Sequence, residues 1–379
     1  MKFGIMFFSS VAAGDEASGN SKYQLLLDAT RYADRQGFEC VWTPERHFHV
    51  FGGLFPNPSV TSAALAMITE RVQLRSGSLI SPLHNPIRIV EEWSVVDNLS
   101  GGRAAISFGS GWNVNDFVFY PERYSSRQAT MYEQIQLIQS LWRGGSVKLV
   151  NGTGQEVEAK PQPRPIQKEL PIWITSSGNV ETFLSAGRIG ANLLTHMEHQ
   201  DDQTLREKIQ RYRQARRDHG HDPATGKVSL LLHTFLGSDT AVVKETVRQP
   251  MRQYFQSAIN LERKAVAGGG MASGGYKVKS HDIVERDMED LLDILFDRYF
   301  HEIALTGTVE HCTKRVETLQ SIGVDEIACL IDFIEDRETV MSGLVYLDKL
   351  RARFATNDAQ RSVSPPSGGA PKRVISGCL

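Results

Sequence analysis

The fold of this chain is decided by ECVWTPERHFHVFGGLFPNPSV (residues 39–60) and VQLRSGSLISPLHNPIRIVEEWSVVDNLSGGRAAISFGSGWNVNDF (residues 72–117). These stretches contain three short runs of β-branched and aromatic residues, separated by polar or glycine-rich loops and amphipathic segments. A strand, a loop and a helix repeated in this order are the unit of a parallel barrel or a doubly wound sheet. The pattern therefore predicts an α/β fold with parallel strands.

The residues that follow each predicted strand carry the chemically versatile side chains. In a TIM barrel the active site is built from the carboxyl ends of the strands, so we expect these side chains to meet in one place. They are Glu45, Arg46 and His47 after the first strand, residues 76–81 and His84 around the second, and residues 109–113 after the third.

The remainder of the chain supplies enough elements to close a barrel. We predict a TIM (β/α)8 barrel with insertions after strands four and seven. Residues 1–354 are predicted to form this one domain. Residues 355–379 lack apolar periodicity and are rich in proline, glycine and serine, which predicts a disordered tail or linker. The predicted strands are residues 2–8, 40–43, 72–80, 103–109, 170–176, 191–195, 228–236 and 326–331.

The composition argues against several classes of protein. The net charge of −2 gives no reason to expect a nucleic acid partner. The four cysteines show no CxxC spacing, so neither a zinc site nor a disulfide framework is expected. The sequence opens with a predicted strand and has no apolar run of about 20 residues. We therefore expect a cytoplasmic protein without a membrane partner.

A series of spaced motifs strongly resembles the bacterial luciferase-like flavin-dependent monooxygenases. The motifs occur in the order of the family over the first third of the chain, and the similarity continues more thinly to about Leu350. Within the family, the sequence is most similar to the subgroup that accompanies hybrid peptide and polyketide assembly lines. The matching residues are Met1–Gly4, Val41–Trp42, Glu45, His47–Phe48, Asn57–Pro58, Asn85–Arg88, Asp97, Ser100–Arg103 and Asn115–Phe117.

The resemblance implies a flavin-dependent monooxygenase. Such an enzyme takes reduced FMN from a separate flavin reductase and uses O2 to insert one oxygen atom into an organic substrate. The subgroup implies a substrate that is an acyl or aminoacyl intermediate of secondary metabolism bound to a carrier protein, and the family suggests a homodimer. Two alternatives stay open: a deazaflavin-dependent oxidoreductase on the same barrel, and a non-catalytic protein that binds flavin or a carrier protein.

A Ser-Ser-Gly-Asn turn between predicted strand five and the next helix is the candidate phosphate site. Hydroxyl groups and backbone N–H groups at a helix N-terminus favour a phosphate dianion. The same residues also make an ordinary helix cap, and the residues alone do not decide between the two. The resemblance implies the phosphate site. The turn consists of Ser176, Ser177, Gly178 and Asn179.

The resemblance implies two further contacts with the flavin. Ser110 stands where the luciferases have a phosphate-binding arginine, and Asn113, Tyr124 and Arg127 are the candidates to replace that arginine. A non-proline cis peptide bond lies beneath the flavin ring in the luciferases, and in this chain it would join Gly77 to Ser78. The alternative is that Gly77 merely allows close packing.

The loop after strand two contains the main departure from the family. Where luciferase has Glu-His-His-Phe, this chain has Glu45, Arg46, His47 and Phe48. Arg46 cannot act as a general base because a guanidinium stays protonated, but it can bind an anionic intermediate or a carbonyl oxygen. His47 is then the titratable candidate for proton transfer, unless it is structural. Glu45 would pair with Arg46 or orient His47.

Further candidates lie in the neighbouring loops. His84 is the second choice for proton transfer, and His196 and His199 are weaker choices. Aromatic residues in these loops would exclude water from the pocket or belong to the ordinary core. These aromatic residues are Phe48, Phe51, Trp112, Phe117 and Tyr120.

Two other segments have both a structural and a functional interpretation. The helix predicted at residues 203–218 carries six basic residues, which form either a solvated face or a docking site for an acidic carrier protein. The glycine-rich residues 265–281 resemble the mobile active-site loop of the luciferases, or they form a passive linker.

Overall fold

The structure is a computed structural model that describes residues 1–8, 23–198, 200–270 and 285–361. Its strands are β1 (Lys2–Met6), β2 (Cys40–Thr43), β3 (Gln73–Ile80), β4 (Ala104–Gly109), β5 (Val147–Val150), β6 (Glu156–Ala159), β7 (Ile172–Ser176), β8 (Asn192–His196), β9 (Val228–Leu236), β10 (Leu305–Gly307) and β11 (Glu326–Leu330). Eight of them pair in parallel in the order β1-β2-β3-β4-β7-β8-β9-β11, and β11 pairs back to β1. The predicted TIM barrel is confirmed.

Helices cover the outside of the barrel. They are α1 (Gln24–Gln36), α2 (Pro58–Ala66), α3 (Pro86–Ser100), α4 (Arg127–Trp142), α5 (Val180–Arg188), α6 (Asp202–Asp218), α7 (Thr240–Ala267), α8 (Glu285–Arg298), α9 (Val309–Ser321) and α10 (Arg337–Arg361). The Asn-Pro pairs set two helix starts, because Asn57 and Asn85 accept N–H bonds of the first turn and proline occupies the first helical position. Within the described part of the chain, no helix has the length and apolar character needed to span a membrane.

The insertion after strand four is a two-stranded antiparallel ribbon formed by β5 and β6. Its turn is held by Asn151, whose side-chain oxygen accepts the N–H groups of Thr153 and Gln155. The insertion after strand seven contains α7, α8 and a short strand, β10, which pairs with β9. The sequence did not predict β10, because three residues are too few to show a period.

Two helices extend further than the sequence predicts. Helix α7 continues to Ala267 through Pro250, so residues 265–267 are helical rather than part of the predicted glycine-rich loop. Residues 271–281 of that loop lie outside the described residues. Helix α10 continues past residue 354, the predicted end of the domain, to Arg361, and the tail from residue 362 lies outside the described residues.

A buried ion pair fills the barrel at the amino ends of the strands. The Arg75 guanidinium lies 4.8 Å from the ring centre of Trp42 and 4.2 Å from that of Trp173, and its Nη1 is 2.5 Å from a carboxylate oxygen of Glu326. Ser229 donates a hydrogen bond of 2.9 Å to the same oxygen. These side chains form a floor beneath the functional end of the barrel.

Candidate active site

A cavity of about 300 Å³ opens at the carboxyl ends of the barrel strands. Its walls come from the ends of β1, β2, β3, β4, β7 and β8, from β9, and from helix α7. The strand ends thus surround one pocket, as the barrel requires. The predicted site residues that line it are Glu45, Arg46, Gly77, Ser78, Ser110 and Ser177.

The other predicted site residues lie behind or beside this lining. His196 lines the cavity although it was a weak candidate, and His199 lies outside the described residues. Within the described chain, the candidates absent from the cavity wall are His47, His84, Asn113, Tyr124, Ser176, Gly178 and Asn179.

Glu45 connects two histidines to the end of strand β3. Its Oε1 lies 2.8 Å from Nε2 of His47 and 2.6 Å from Nε2 of His84, and its Oε2 accepts the Ile80 N–H at 2.7 Å. Burial alone would raise the pKa of Glu45, but the bonds from His47, His84 and Ile80 keep the pKa below its usual value. Of the two roles predicted for Glu45, the structure shows the contact with His47.

The hydrogen bond between Glu45 and His84 changes the pKa of His84. Burial alone would lower the pKa of His84, but the hydrogen bond to the Glu45 carboxylate outweighs burial and raises the pKa above its usual value. His84, held by the ionised Glu45 carboxylate, can therefore carry a proton beside the cavity wall and release it.

Replacing His84 with glutamine is expected to remove a pH-dependent part of the stability. A raised histidine pKa stabilises the fold fully below the unfolded pKa of 6.5, and this contribution is lost as the pH rises through the folded pKa. The wild type should therefore exceed His84→Gln in free energy of unfolding by about 1.5 kcal/mol near pH 6, as for a hydrogen bond to a charged group. Denaturant unfolding of both proteins at pH 6 and 9 measures this difference, and an equal gap at both pH values would contradict the assignment.

Arg46, which stands where the resemblance implies a histidine, lies in the cavity wall. The side chain is buried, with 8% of the residue exposed. Its guanidinium lies 5.2 Å from the ring centre of Phe8 and 5.5 Å from that of Trp112. Among the described residues, Nε finds no hydrogen-bond partner. Burial lowers the pKa of Arg46, although the guanidinium stays charged.

A row of hydroxyl groups crosses the bottom of the cavity from β3 to β7. Ser78 Oγ lies 2.5 Å from Thr175 Oγ1, which lies 2.7 Å from Ser107 Oγ. The bond between Gly77 and Ser78 is a cis peptide, as the resemblance implies. A Cβ atom on Gly77 would lie 3.2 Å from Met6 and from Trp42, so close packing also requires the glycine.

The predicted phosphate turn joins β7 to α5 with its polar groups directed toward the N-terminus of the helix. Ser176 Oγ accepts the Gly178 N–H at 3.2 Å, and the Asn179 side chain accepts the Glu181 N–H at 2.9 Å. Gly178 has a φ of +99°, which favours glycine. Asn179 thus caps helix α5, as in the alternative of an ordinary helix cap, whereas Ser177 lines the cavity.

Lys208 of α6 places a buried positive charge at this turn. A Cβ atom on Gly178 would lie 3.4 Å from Lys208 Nζ. The residue is only 8% exposed, and its ammonium donates a 2.9 Å hydrogen bond to the neutral Gln200 Oε1. Burial lowers the pKa of Lys208, because the charged form is poorly solvated there. The prediction of a solvated basic face on this helix is therefore wrong for Lys208.

The residues predicted to replace the missing arginine bond within their own loop. Asn113 Nδ2 donates to Asp116 Oδ1 at 2.8 Å, and Arg127 Nη1 donates to the Tyr124 carbonyl at 2.8 Å. The Arg127 guanidinium also lies 4.5 Å from the Tyr124 ring centre. None of these three residues lines the cavity.

Helix α7 contributes a residue that the sequence did not single out. The Tyr254 ring lines the cavity and lies 4.8 Å from the ring of Phe51 and 4.5 Å from that of His233. Burial lowers the pKa of His233 to about 3, so this imidazole stays neutral and supports Tyr254 by packing. The signal in the sequence was weak, because Tyr254 lies in a long helix and not in a strand-end loop.

The aromatic residues predicted to exclude water divide into two groups. Phe51 and Trp112 line the cavity. Phe117 is buried against Tyr124, Tyr120 lies 3.7 Å from the Arg123 guanidinium, and Phe48 is 65% exposed. Only the first group can keep water from a ligand in the cavity.

The chain is similar in sequence to known oxygenases. It is 24% identical over 340 residues to the oxygenase component of the flavin-dependent trigonelline monooxygenase of Acinetobacter baylyi, which covers 88% of this chain and 89% of that protein. It is 23% identical over 314 residues to the alkanal monooxygenase alpha chain of Photorhabdus luminescens. This match covers 80% of this chain and 83% of that protein.

Solved structures share the fold at low identity. The monooxygenase RslO1 from Streptomyces bottropensis superposes with a TM-score of 0.74 at 21% identity, covering 94% of this chain and 100% of that one. The oxygenating constituent of 3,6-diketocamphane monooxygenase from Pseudomonas putida, in complex with FMN, superposes with a TM-score of 0.72 at 16% identity. This match covers 92% of this chain and 97% of that one. An F420-dependent secondary alcohol dehydrogenase superposes with a TM-score of 0.66 at 18% identity, covering 92% of this chain and 97% of that one.

The family model for luciferase-like monooxygenases matches residues 1–326, which is most of the 379-residue chain. The match spans the barrel from β1 to the first residue of β11 and includes the whole cavity wall. The chain belongs to the luciferase-like monooxygenase family.

Proposed function

We propose that this protein is the oxygenase component of a two-component monooxygenase, which uses reduced FMN and O2 to insert one oxygen atom into an organic substrate. The observation that carries the proposal is the buried Lys208 ammonium beside the Ser176–Asn179 turn, at the edge of the cavity. A buried cation whose hydrogen-bond acceptor is a neutral amide favours an anionic ligand. The phosphate of FMN supplies that anion, whereas riboflavin does not.

The residues present fit FMN. Ser177, Gly178 and Lys208 would hold its phosphate, and Gly77 and Ser78 would lie against its ring. FMN in its reduced form supplies the electrons that activate O2. The protein contributes the binding groups, a partly apolar wall containing Phe51 and Trp112, and a proton held between Glu45 and His84.

A carrier-bound acyl or aminoacyl intermediate is the proposed source of the substrate. Exposed apolar side chains lie at the rim beside His47, where Phe48 is 65% exposed and Phe119 is 49% exposed. A rim of this kind supports docking of the partner that delivers the substrate. The exposed basic residues Arg206 and Arg211 of α6 would attract an acidic carrier.

Two further partners complete the proposal. A separate flavin reductase supplies the reduced FMN, since the sequence shows no GxGxxG fingerprint opening a βαβ unit. A second copy of the chain would pair through α2 and α3, where Met67 and Val60 are exposed together with Val95 and Leu99.

Oxygen transfer is tested with isotopically heavy O2. The purified protein is mixed with chemically reduced FMN, labelled O2 and either carrier-bound acyl thioesters or the corresponding free acids. The expected product contains one heavy oxygen atom, as measured by mass spectrometry, because the cavity isolates the reaction from water. A protein that yields only hydrogen peroxide with every substrate would contradict the proposal.

Two control titrations separate this function from its alternatives. A reduced deazaflavin replaces FMN in the first, and tighter binding of the deazaflavin with hydride transfer in the absence of O2 would favour the oxidoreductase. The second measures FMN binding without substrate, and binding without turnover on any substrate would favour a non-catalytic flavin protein. Turnover with FMN and O2 excludes both.

A further inference from the structure

Arg46 is a buried charge in the cavity wall. The proposed binding of the FMN phosphate does not involve this residue. Only 8% of the residue is exposed, and its Nε finds no hydrogen-bond partner among the described residues. A buried guanidinium loses its hydration, and this loss is offset only when an anion and its acceptor atoms are close. The position therefore favours a ligand that carries negative charge.

The neighbouring carboxyl groups do not supply this anion. The oxygens of Glu45 are bonded to His47, His84 and the Ile80 N–H. Asp116 is bonded to Asn113, and burial raises its pKa to about 6 against the opposing effect of Arg46. In the described part of the chain, no carboxylate forms an ion pair with Arg46.

The surroundings of Arg46 also restrict the shape of the ligand. The rings of Phe8 and Trp112 lie 5.2 and 5.5 Å from the guanidinium carbon. Phe51 packs 5.1 Å from Phe8 and 4.8 Å from Tyr254, and all these rings line the cavity. Aromatic walls favour a flat, unsaturated body through offset or edge-to-face contacts.

The two cations of the site lie on different sides of the barrel. Arg46 follows β2, whereas Lys208 lies at the turn that follows β7, and strands β3 and β4 separate the two positions. A phosphate bound at the Ser176–Asn179 turn therefore leaves Arg46 available for a second anionic group.

We propose that Arg46 binds the carboxylate of the substrate, so that the substrate is an organic acid whose flat, unsaturated body lies against Phe8 and Trp112. The inference rests on the proposed function, in which FMN occupies the same cavity. A guanidinium presents parallel N–H donors that match a carboxylate, which a histidine at this position would not offer. A substrate tethered to a carrier would present its carboxylate at the end remote from the thioester.

Calorimetric titration of acid and amide pairs tests the carboxylate preference. The probes are benzoate and benzamide, phenylacetate and phenylacetamide, and cinnamate and cinnamamide, each titrated into the full chain with and without FMN. At least one acid is expected to bind about tenfold more tightly than its amide, the size of a charge-assisted contact. Arg46→Gln should reduce this ratio below about twofold, while Arg143→Gln, an exposed ion-pair control, should keep it.

Three results would overturn the inference. They are equal binding of acid and amide throughout the panel, an unchanged preference in Arg46→Gln, and a loss of reduced FMN binding in that variant with the acid preference intact. The last result would assign Arg46 to the flavin ring.

If Arg46→Gln does not fold, Arg46→Lys keeps the charge without the fork and should show a smaller ratio than the wild type. Failure of the proposed function appears separately, as absent FMN binding by the wild type, and the titrations without FMN still decide the role of Arg46.

Discussion

Replacing Lys208 with methionine is expected to weaken FMN binding by roughly ten- to a hundredfold, since hydrogen bonds between charged groups contribute about 1.5–3 kcal/mol. Methionine has a similar length and no charge, so the turn at Gly178 keeps its shape but loses its cation. Riboflavin binding should stay within about twofold of the wild type, because riboflavin lacks the phosphate that Lys208 would contact. Fluorescence titration of both flavins measures the two affinities.

The matched control is Lys314→Met, which removes an exposed ammonium from helix α9. This variant should bind FMN and riboflavin like the wild type, since an exposed charge far from the ligand is screened by solvent and salt. If Lys208→Met weakens both flavins equally, Lys208 supports the barrel rather than the phosphate. If it weakens neither, the phosphate lies elsewhere.

Glu326→Gln is expected to destabilise the barrel by about 3–5 kcal/mol, because it removes the nearest counter-ion of the fully buried Arg75 and leaves only the Glu39 carboxylate, 3.9 Å away. The free energy of unfolding is measured by denaturant titration at neutral pH. The double variant Arg75→Met/Glu326→Leu should recover much of the loss, since neither charge then remains buried alone.

The comparison for this pair is Arg143→Met, which breaks the exposed ion pair with Glu169. Such surface pairs contribute about 0–1 kcal/mol, so the variant should unfold close to the wild type. A loss of less than about 1 kcal/mol in Glu326→Gln would show that water enters the barrel floor and solvates Arg75.

The architecture was predictable from the sequence because the strand runs are strongly apolar and regularly spaced. Strands β2 and β9 match their predicted bounds. Helix α7 continues through Pro250 and into the residues predicted as a glycine-rich loop, although proline and glycine are typical of helix ends. In the structure the buried face formed by Met251, Phe255 and Ile259 outweighs these local signals.

The candidate site was predictable where its residues follow strands and not where tertiary packing selects them. Glu45, Arg46 and Ser177 stand in strand-end loops, and all three line the cavity. Lys208 is one of six basic residues of α6, of which Arg206, Arg211 and Arg217 are exposed, and its sequence neighbours do not show that it turns inward. Its burial depends on the position of α6 against the β7 turn, which only the folded barrel reveals.

The floor formed by Trp42, Arg75 and Trp173 has a consequence for traffic through the enzyme. All three side chains are fully buried, so the barrel is sealed at that end and is not a through-passage. Every ligand of the cavity would then enter and leave at the rim. Under the proposed function, an acid bound at Arg46 before FMN would obstruct the path of the flavin, so FMN is expected to bind first.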